Sequence, residues 1–175
     1  MSCPIVIVDY DSRWPFVYEE EKRHILAIAD NKILCLEHIG STAVVGLGAK
    51  PIVDILAGVT SSSEADELIA LLRKIGYKEL IQQSGNLEWY YCLRKTVKGH
   101  GIWLQNFHLH IMKFRSENWD KHIQFRDFLR THSEAAQKYD KLKRKLALKY
   151  AHDRKSYTEA KTEFISSVVT QPNEK

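Results

Sequence analysis

Cysteine, proline and methionine are scarce in this 175-residue chain, which has 3, 4 and 2 of them. The cysteines, Cys3, Cys35 and Cys92, are odd in number and lack a metal-like clustering in sequence, which excludes a disulfide-stapled scaffold. Cys35 and Cys92 fall in apolar, strand-like segments and read as buried thiols in a reducing compartment. No apolar run approaches the roughly 18 residues of a membrane span. The first ten residues lack a basic region followed by a long apolar stretch, so no signal peptide is expected and the expected location is cytoplasmic. Repeats, low-complexity tracts and linker-like composition shifts are also missing. With 44% apolar and 27% charged residues, the reading is a single globular domain over 1–175, large enough for a real core.

Charge is present but uneven. Residues 1–114 hold 12 Lys and Arg against 13 Asp and Glu, whereas residues 115–175 hold 14 against 9. A basic part beside a near-neutral one suits phosphates, in a nucleotide or in a nucleic acid. A solvated helix surface explains the same charges more plainly.

Along the chain, Ile5–Val8 reads as an edge strand, and Pro15 opens a helix whose apolar spacing runs to Asp30. A strand over Ile33–Ile39 alternates Cys35, Glu37 and Ile39 against Leu34, Leu36 and His38. Gly40-Ser41-Thr42 turns the chain, Gly46 and Gly48 loosen the linker, and a strand follows Pro51 to Val59. Ser61 to Glu64 signals a helix start, with an amphipathic run ending at Gly76. Strands are expected at Tyr77–Ile81, at Leu87–Leu93 and within Ile102–Phe114, with a loop at Gln82–Asn86 and a hairpin tip at Lys98–Gly101. From Glu117 the pattern is helical, over Glu117–Thr131, Ser133–Tyr150 with Ser133 as cap, and Asp153–Val169, before a frayed tail from Thr170. The expected architecture is α/β (α+β): a mixed sheet with packed helices and a helical C-terminal third at about residues 115–170.

Chemistry concentrates in three places. Gly40-Ser41-Thr42 joins two strands, the second carrying one carboxylate, Asp54, among aliphatic residues. A glycine admits a phosphate close to the backbone, and the serine adds a hydroxyl to the exposed amides. Lys50, just before that strand, can pair with phosphate. A Gly-Ser turn beside a half-exposed aspartate is the plainer alternative. Second, His108 and His110 share one face of a strand, about 7 Å apart. They can ligate a metal, serve as acid and base, or form a hydrogen-bonded pair beneath the helices. Glu37 is a candidate second acid; Glu88 and Arg94 are weaker candidates. Third, Arg126 and Arg130 lie one turn apart, and Arg154, Tyr157 and Lys161 form a stripe that can lid a nucleotide or dock the last helix.

In spacing, the Gly-Ser turn followed by an acid-bearing strand resembles nucleotidyltransferases of the DNA polymerase β type, whose second strand carries two acids. Here that strand reads Asp54-Ile55-Leu56, so one ligand is missing. The run Glu37–Val44 continuing to Lys50–Leu56, the strand His108–His110, and the segments Phe125–Arg130, Leu142–Ala147 and Tyr157–Ile165 resemble the GrpB family over nearly the whole chain. Val45-Gly46 replaces the family's usual Val-Pro-Gly, while the lack of an acid at Leu56 is shared with it. The resemblance implies a nucleotidyltransferase-like fold, and fusions of such domains behind dephospho-coenzyme A kinase suggest an adenine-containing ligand or a chaperone-like role. In the enzymatic expectation, Gly40, Ser41, Thr42, Lys50, Arg126 and Lys161 hold a nucleoside triphosphate or phosphorylated small molecule. Asp54 with His108 and His110 then holds Mg²⁺ or Mn²⁺, and Asp54, His110 and Glu37 are the catalytic set. The alternative is an inactive nucleotide- or cofactor-binding module linked to coenzyme A metabolism. Nucleic-acid binding by the basic helices is the least favoured reading, no membrane partner is expected, and the oligomeric state is left open.

Overall fold

The computed structural model describes residues 4–84, 89–98 and 104–169. Of the sequence expectations, residues 85–88 (Glu88 among them), residues 99–103 with most of the hairpin tip, and the tail from Thr170 lie outside them. Five strands, β1 (Cys35–Ile39), β2 (Ile52–Val59), β3 (Lys78–Ser84), β4 (Trp89–Lys98) and β5 (Leu104–Lys113), form one mixed sheet in the order β1-β2-β5-β4-β3. Among the described residues, only the β2–β5 pairing is parallel. The helices are α1 (Trp14–Ile28), α2 (Ser62–Lys74), α3 (Glu117–Thr131), α4 (Ser133–Lys149), α5 (Arg154–Glu159) and α6 (Thr162–Val169).

Strand alternation divides the sheet into two unlike faces. One is aliphatic: Val53, Ile55, Ala57, Val59, Leu93, Leu109 and Ile111 bury against Trp14, Tyr18 and Ile25 of α1 and Leu68 and Leu72 of α2. Pro15 sits at the first turn of α1, where its missing N–H costs nothing. Ser61 caps α2, its hydroxyl accepting from the Glu64 amide at 3.2 Å. On the other face, cross-strand partners form two rows. One runs Ile39, Asp54, His108 and Arg94; the next runs Glu37, Leu56, His110 and Cys92. The apolar end of this face packs Ile39, Leu56 and Met112 against Trp119 of α3.

Several sequence expectations are corrected. Ile5–Val8 forms no strand beyond a single bridge from Val8 to Ala49. Ile5 is instead buried with Leu146, Ala147 and Tyr157, and its amide donates to the Ala151 carbonyl. Gln82–Ser84 continue β3 through pairing with β4, and β4 itself runs on to Lys98. Ser133 is the first residue of α4, not its cap, because His132 alone separates α3 from α4. The expected last helix is two, α5 and α6, broken at Ala160-Lys161. The break lets Tyr157 join one apolar cluster and Phe164 another, stacked at 5.0 Å on Tyr139.

Candidate functional site

The turn after β1 makes the site possible. Gly40 has φ 71° and ψ −172°, a region essentially confined to glycine. A Cβ there would lie 2.5 Å from Asp54 Oδ2. Ser41–Ala43 then form one 3₁₀ turn, and Thr42 is buried with its hydroxyl 3.0 Å from His38 Nε2. His38 points to the aliphatic face and stacks on Tyr18 with ring centroids 4.7 Å apart. Burial lowers its pKa to about 4, which keeps it neutral.

Asp54 is held by the histidines beside it. Its Oδ1 stands 3.5 Å from His108 Nδ1 and 3.5 Å from His110 Nε2. Burial alone would raise the Asp54 carboxyl, but the two imidazoles outweigh it and hold the group well below the usual carboxylate range. Burial likewise opposes the His110 cation, and contacts with Asp54 and Cys92 nevertheless raise its pKa well above the ordinary value. The other His110 nitrogen, Nδ1, lies 2.6 Å from Tyr90 Oη.

Above Asp54 opens a cleft of about 220 Å³, lined by Gly40, Ser41, Lys50, His108, Lys143 and Lys161, with Phe125, Tyr139 and Tyr157 among its walls. The Lys143 ammonium donates to Ser41 Oγ at 2.9 Å and to the Gly48 carbonyl. Lys161 and Lys50 sit over the Tyr157 ring, 4.5 and 5.4 Å from its centroid. Burial, reinforced by the neighbouring cations, lowers Lys143 to about 7 and Lys161 to about 8, and burial lowers Lys50 as well. Among the residues lining this cleft, Asp54 is the one carboxylate.

The structure thus gathers Gly40, Ser41, Thr42, Lys50, Asp54, His108 and Lys161 at one cleft, with His110 beside Asp54. It takes Glu37 and Arg126 elsewhere. Arg126 Nη1 donates to Glu37 Oε2 at 2.6 Å and to the His38 carbonyl at 3.1 Å, and its Nε to Asp127 at 2.8 Å. That buried guanidinium clamps α3 to β1. Arg130 donates to the Ala43 carbonyl at 3.0 Å, supporting the loop. Tyr157 is buried, docking its helix while walling the cleft, and Arg94 is exposed. Sequence reasoning missed Lys143 and Cys92. Lys143 is one of several cations in the run Lys141–Lys145, and only the docking of α4 selects it as the one turned inward. Cys92 pairs directly with His110 across β4 and β5, although no spacing in the chain announces it.

Comparison with solved structures places this arrangement. A poly(U) polymerase, Cid1, in a MgGTP-bound crystal structure, superposes with a TM-score of 0.50 at 15% identity, covering 78% of this chain and 42% of that one. With the mixed sheet and its Gly-Ser turn, this defines the class as a nucleotidyltransferase-like α/β fold. The GrpB protein family matches residues 4–171. A UPF0157 protein of Halalkalibacterium halodurans is 32% identical, covering 98% of this chain and 84% of that protein. The glutamate-rich protein GrpB of Alkalihalophilus pseudofirmus is 28% identical over 95% of each. The crystal structure of the conserved protein GrpB from Enterococcus faecalis has a TM-score of 0.77 at 32% identity, covering 94% of both chains. The chain belongs to the GrpB family.

Proposed function

We infer that this protein binds the phosphate end of a nucleotide or other phosphorylated cofactor in the cleft above Asp54, beside one divalent metal ion. One observation carries the reading: three lysine ammoniums converge on a partly buried cleft whose single carboxylate already faces two histidines. Buried cations without enough counter-charge are costly unless an anion joins them. Ser41 and the glycine-lined turn supply the remaining donors for phosphate oxygens, and Phe125, Tyr139 and Tyr157 offer aromatic walls.

The same geometry favours binding over two-metal transfer, which uses at least two acids to bridge its ions. Leu56 stands two residues beyond Asp54 on the same face, fully buried beside Trp119 and Met112. Glu37, the other acid on that face among the described residues, is engaged by Arg126. Phosphate capture with one ion at Asp54, His108 and His110 is the chemistry these residues support.

The test is thermal unfolding with inorganic triphosphate and with nucleoside triphosphates, with and without divalent ions, on wild type and Lys143→Met. A saturable upward shift that Lys143→Met abolishes supports the cleft. No shift with any phosphate compound, or an equal shift in the variant, overturns it.

A further inference from the structure

The face that carries Asp54 holds a second chemical feature. The thiol of Cys92 and ring nitrogens of His108 and His110 lie within 4.8 Å of one another. They meet because β5 places two histidines on one face and β4 sets Cys92 directly opposite His110. Cys92 is 2% exposed, while the side chains of His110 and His108 are 15% and 26% exposed. The thiol is therefore at the floor, and the histidines lead up to the cleft. Asp54, whose Oδ1 stands 3.5 Å from a nitrogen of each histidine, lines the cleft together with His108.

We propose that Cys92, His108 and His110 form a zinc site, with Asp54 available at its fourth, cleft-facing position. This rests on the preceding reading only in placing the ion beside the phosphate cleft; the site itself stands on its own donors. A tetrahedral ion bound at about 2.0–2.3 Å keeps its ligands roughly 3.3–3.7 Å apart, and the Asp54–histidine separations already match. A thiolate and two imidazoles are soft to borderline donors that suit Zn²⁺. Magnesium and manganese prefer carboxylate, carbonyl and water oxygens, and among the described residues Asp54 is the one carboxylate beside these histidines, Glu37 being engaged by Arg126.

Tyr90 completes the arrangement. With Nδ1 of His110 engaged at 2.6 Å by Tyr90 Oη, the ring presents Nε2 toward Asp54 and the ion, the outer hydrogen bond that metal-bound histidines usually have. Tyr90 is a positioning residue. On binding, the Cys92 thiol and any proton on His110 Nε2 pass their protons to solvent, and the metal bonds replace them.

Cobalt substitution reads the site directly. Protein freed of metal by a chelator is titrated with Co²⁺, then with Zn²⁺ in competition. The expected result is an intense visible spectrum of a four-coordinate ion with a near-ultraviolet thiolate-to-cobalt charge-transfer band. Cys92→Ser loses that band and about a hundredfold in zinc affinity, the upper end of what losing even a supporting residue costs. Cys35→Ser keeps both, and Tyr90→Phe keeps the band with about tenfold weaker binding. A weak six-coordinate spectrum without the band, or a band that survives Cys92→Ser, overturns the proposal. His108→Gln, altering a partly exposed ligand, answers the same question should Cys92→Ser fail to fold. Triphosphate binding measured in chelator tells the two readings apart, because the lysine cleft can hold phosphate when the zinc site fails, and the reverse.

Discussion

Lys143 is the residue on which the phosphate reading turns. It is 2% exposed, and Asp140, one turn before it in α4, is bonded to Arg144 at 2.7 Å. Burial lowers its pKa from 10.5 to about 7. Above pH 7 the free folded protein therefore releases a proton there that the unfolded chain retains until about 10.5. The contribution of Lys143 to stability accordingly rises with pH through that window. An anion needs the protonated form, so phosphate affinity moves in the opposite direction, falling as pH climbs from about 7. Binding in the window takes up a proton. Calorimetric titrations with inorganic triphosphate in buffers of different protonation enthalpy measure that uptake directly, and Lys143→Met is expected to remove its main part. At this scale the sequence is only half legible. Gly40, Ser41 and Asp54 declare themselves through a rare backbone requirement and a lone acid in an aliphatic strand. Lys143 and Cys92 do not, because their roles depend on which side of an element meets a partner far away in the chain.

Between elements, the aliphatic face contains one buried ion pair among the described residues. Glu21 of α1 accepts from Lys95 of β4 at 2.8 Å and from Tyr77 Oη at 2.9 Å, with the two charged side chains 3% and 9% exposed. The carboxylate raises the Tyr77 pKa further beyond what burial does, so the phenol serves as a donor throughout the ordinary pH range. The trio ties the first helix to a strand on the far side of the sheet. Removing one partner of a buried pair leaves the other charge uncompensated and costs about 3–5 kcal/mol. Lys95→Met is expected to lower the urea midpoint by a corresponding amount, and Glu21→Leu combined with Lys95→Met to recover much of the loss. Element boundaries follow the same logic as the residues. α3 was legible to its ends because Ser116 caps it, accepting from the Trp119 amide, and local signals suffice for such a helix. The split between α5 and α6 was not, since it is set by two separate apolar clusters that pull Tyr157 and Phe164 apart.

Over the whole molecule, the basic residues of 115–175 divide into those held by protein groups or the cleft and those left in solvent. Lys143 and Lys161 enter the cleft, Arg126 and Arg130 bind groups on β1 and the following loop, and Arg144 pairs with Asp140 and Asp9. The exposed remainder includes Lys138, Lys141, Lys145 and Lys149 along α4, which read as a solvated helix face. With that face solvated rather than built for nucleic acid, a labelled single-stranded RNA is expected to show no saturable anisotropy change at about 0.15 M salt. Saturable binding with a steep salt slope would contradict this.

The parallel pairing of β2 with β5 also has a bearing on how the chain matures. β2 ends at Val59 and β5 begins only at Leu104. A growing polypeptide stopped short of β5 can form the β1–β2 and β3–β4 pairs, but no strand pairing joins them. Asp54 and Cys92 are then on separate hairpins, and the strand that brings both histidines between them has yet to be synthesised. Non-local pairing of this kind comes late, because a long loop must close before it yields any contact. The insertion that completes the sheet is thus the same event that creates the binding face. A ligand of that face cannot steer early folding; it can only lock a molecule that has already finished.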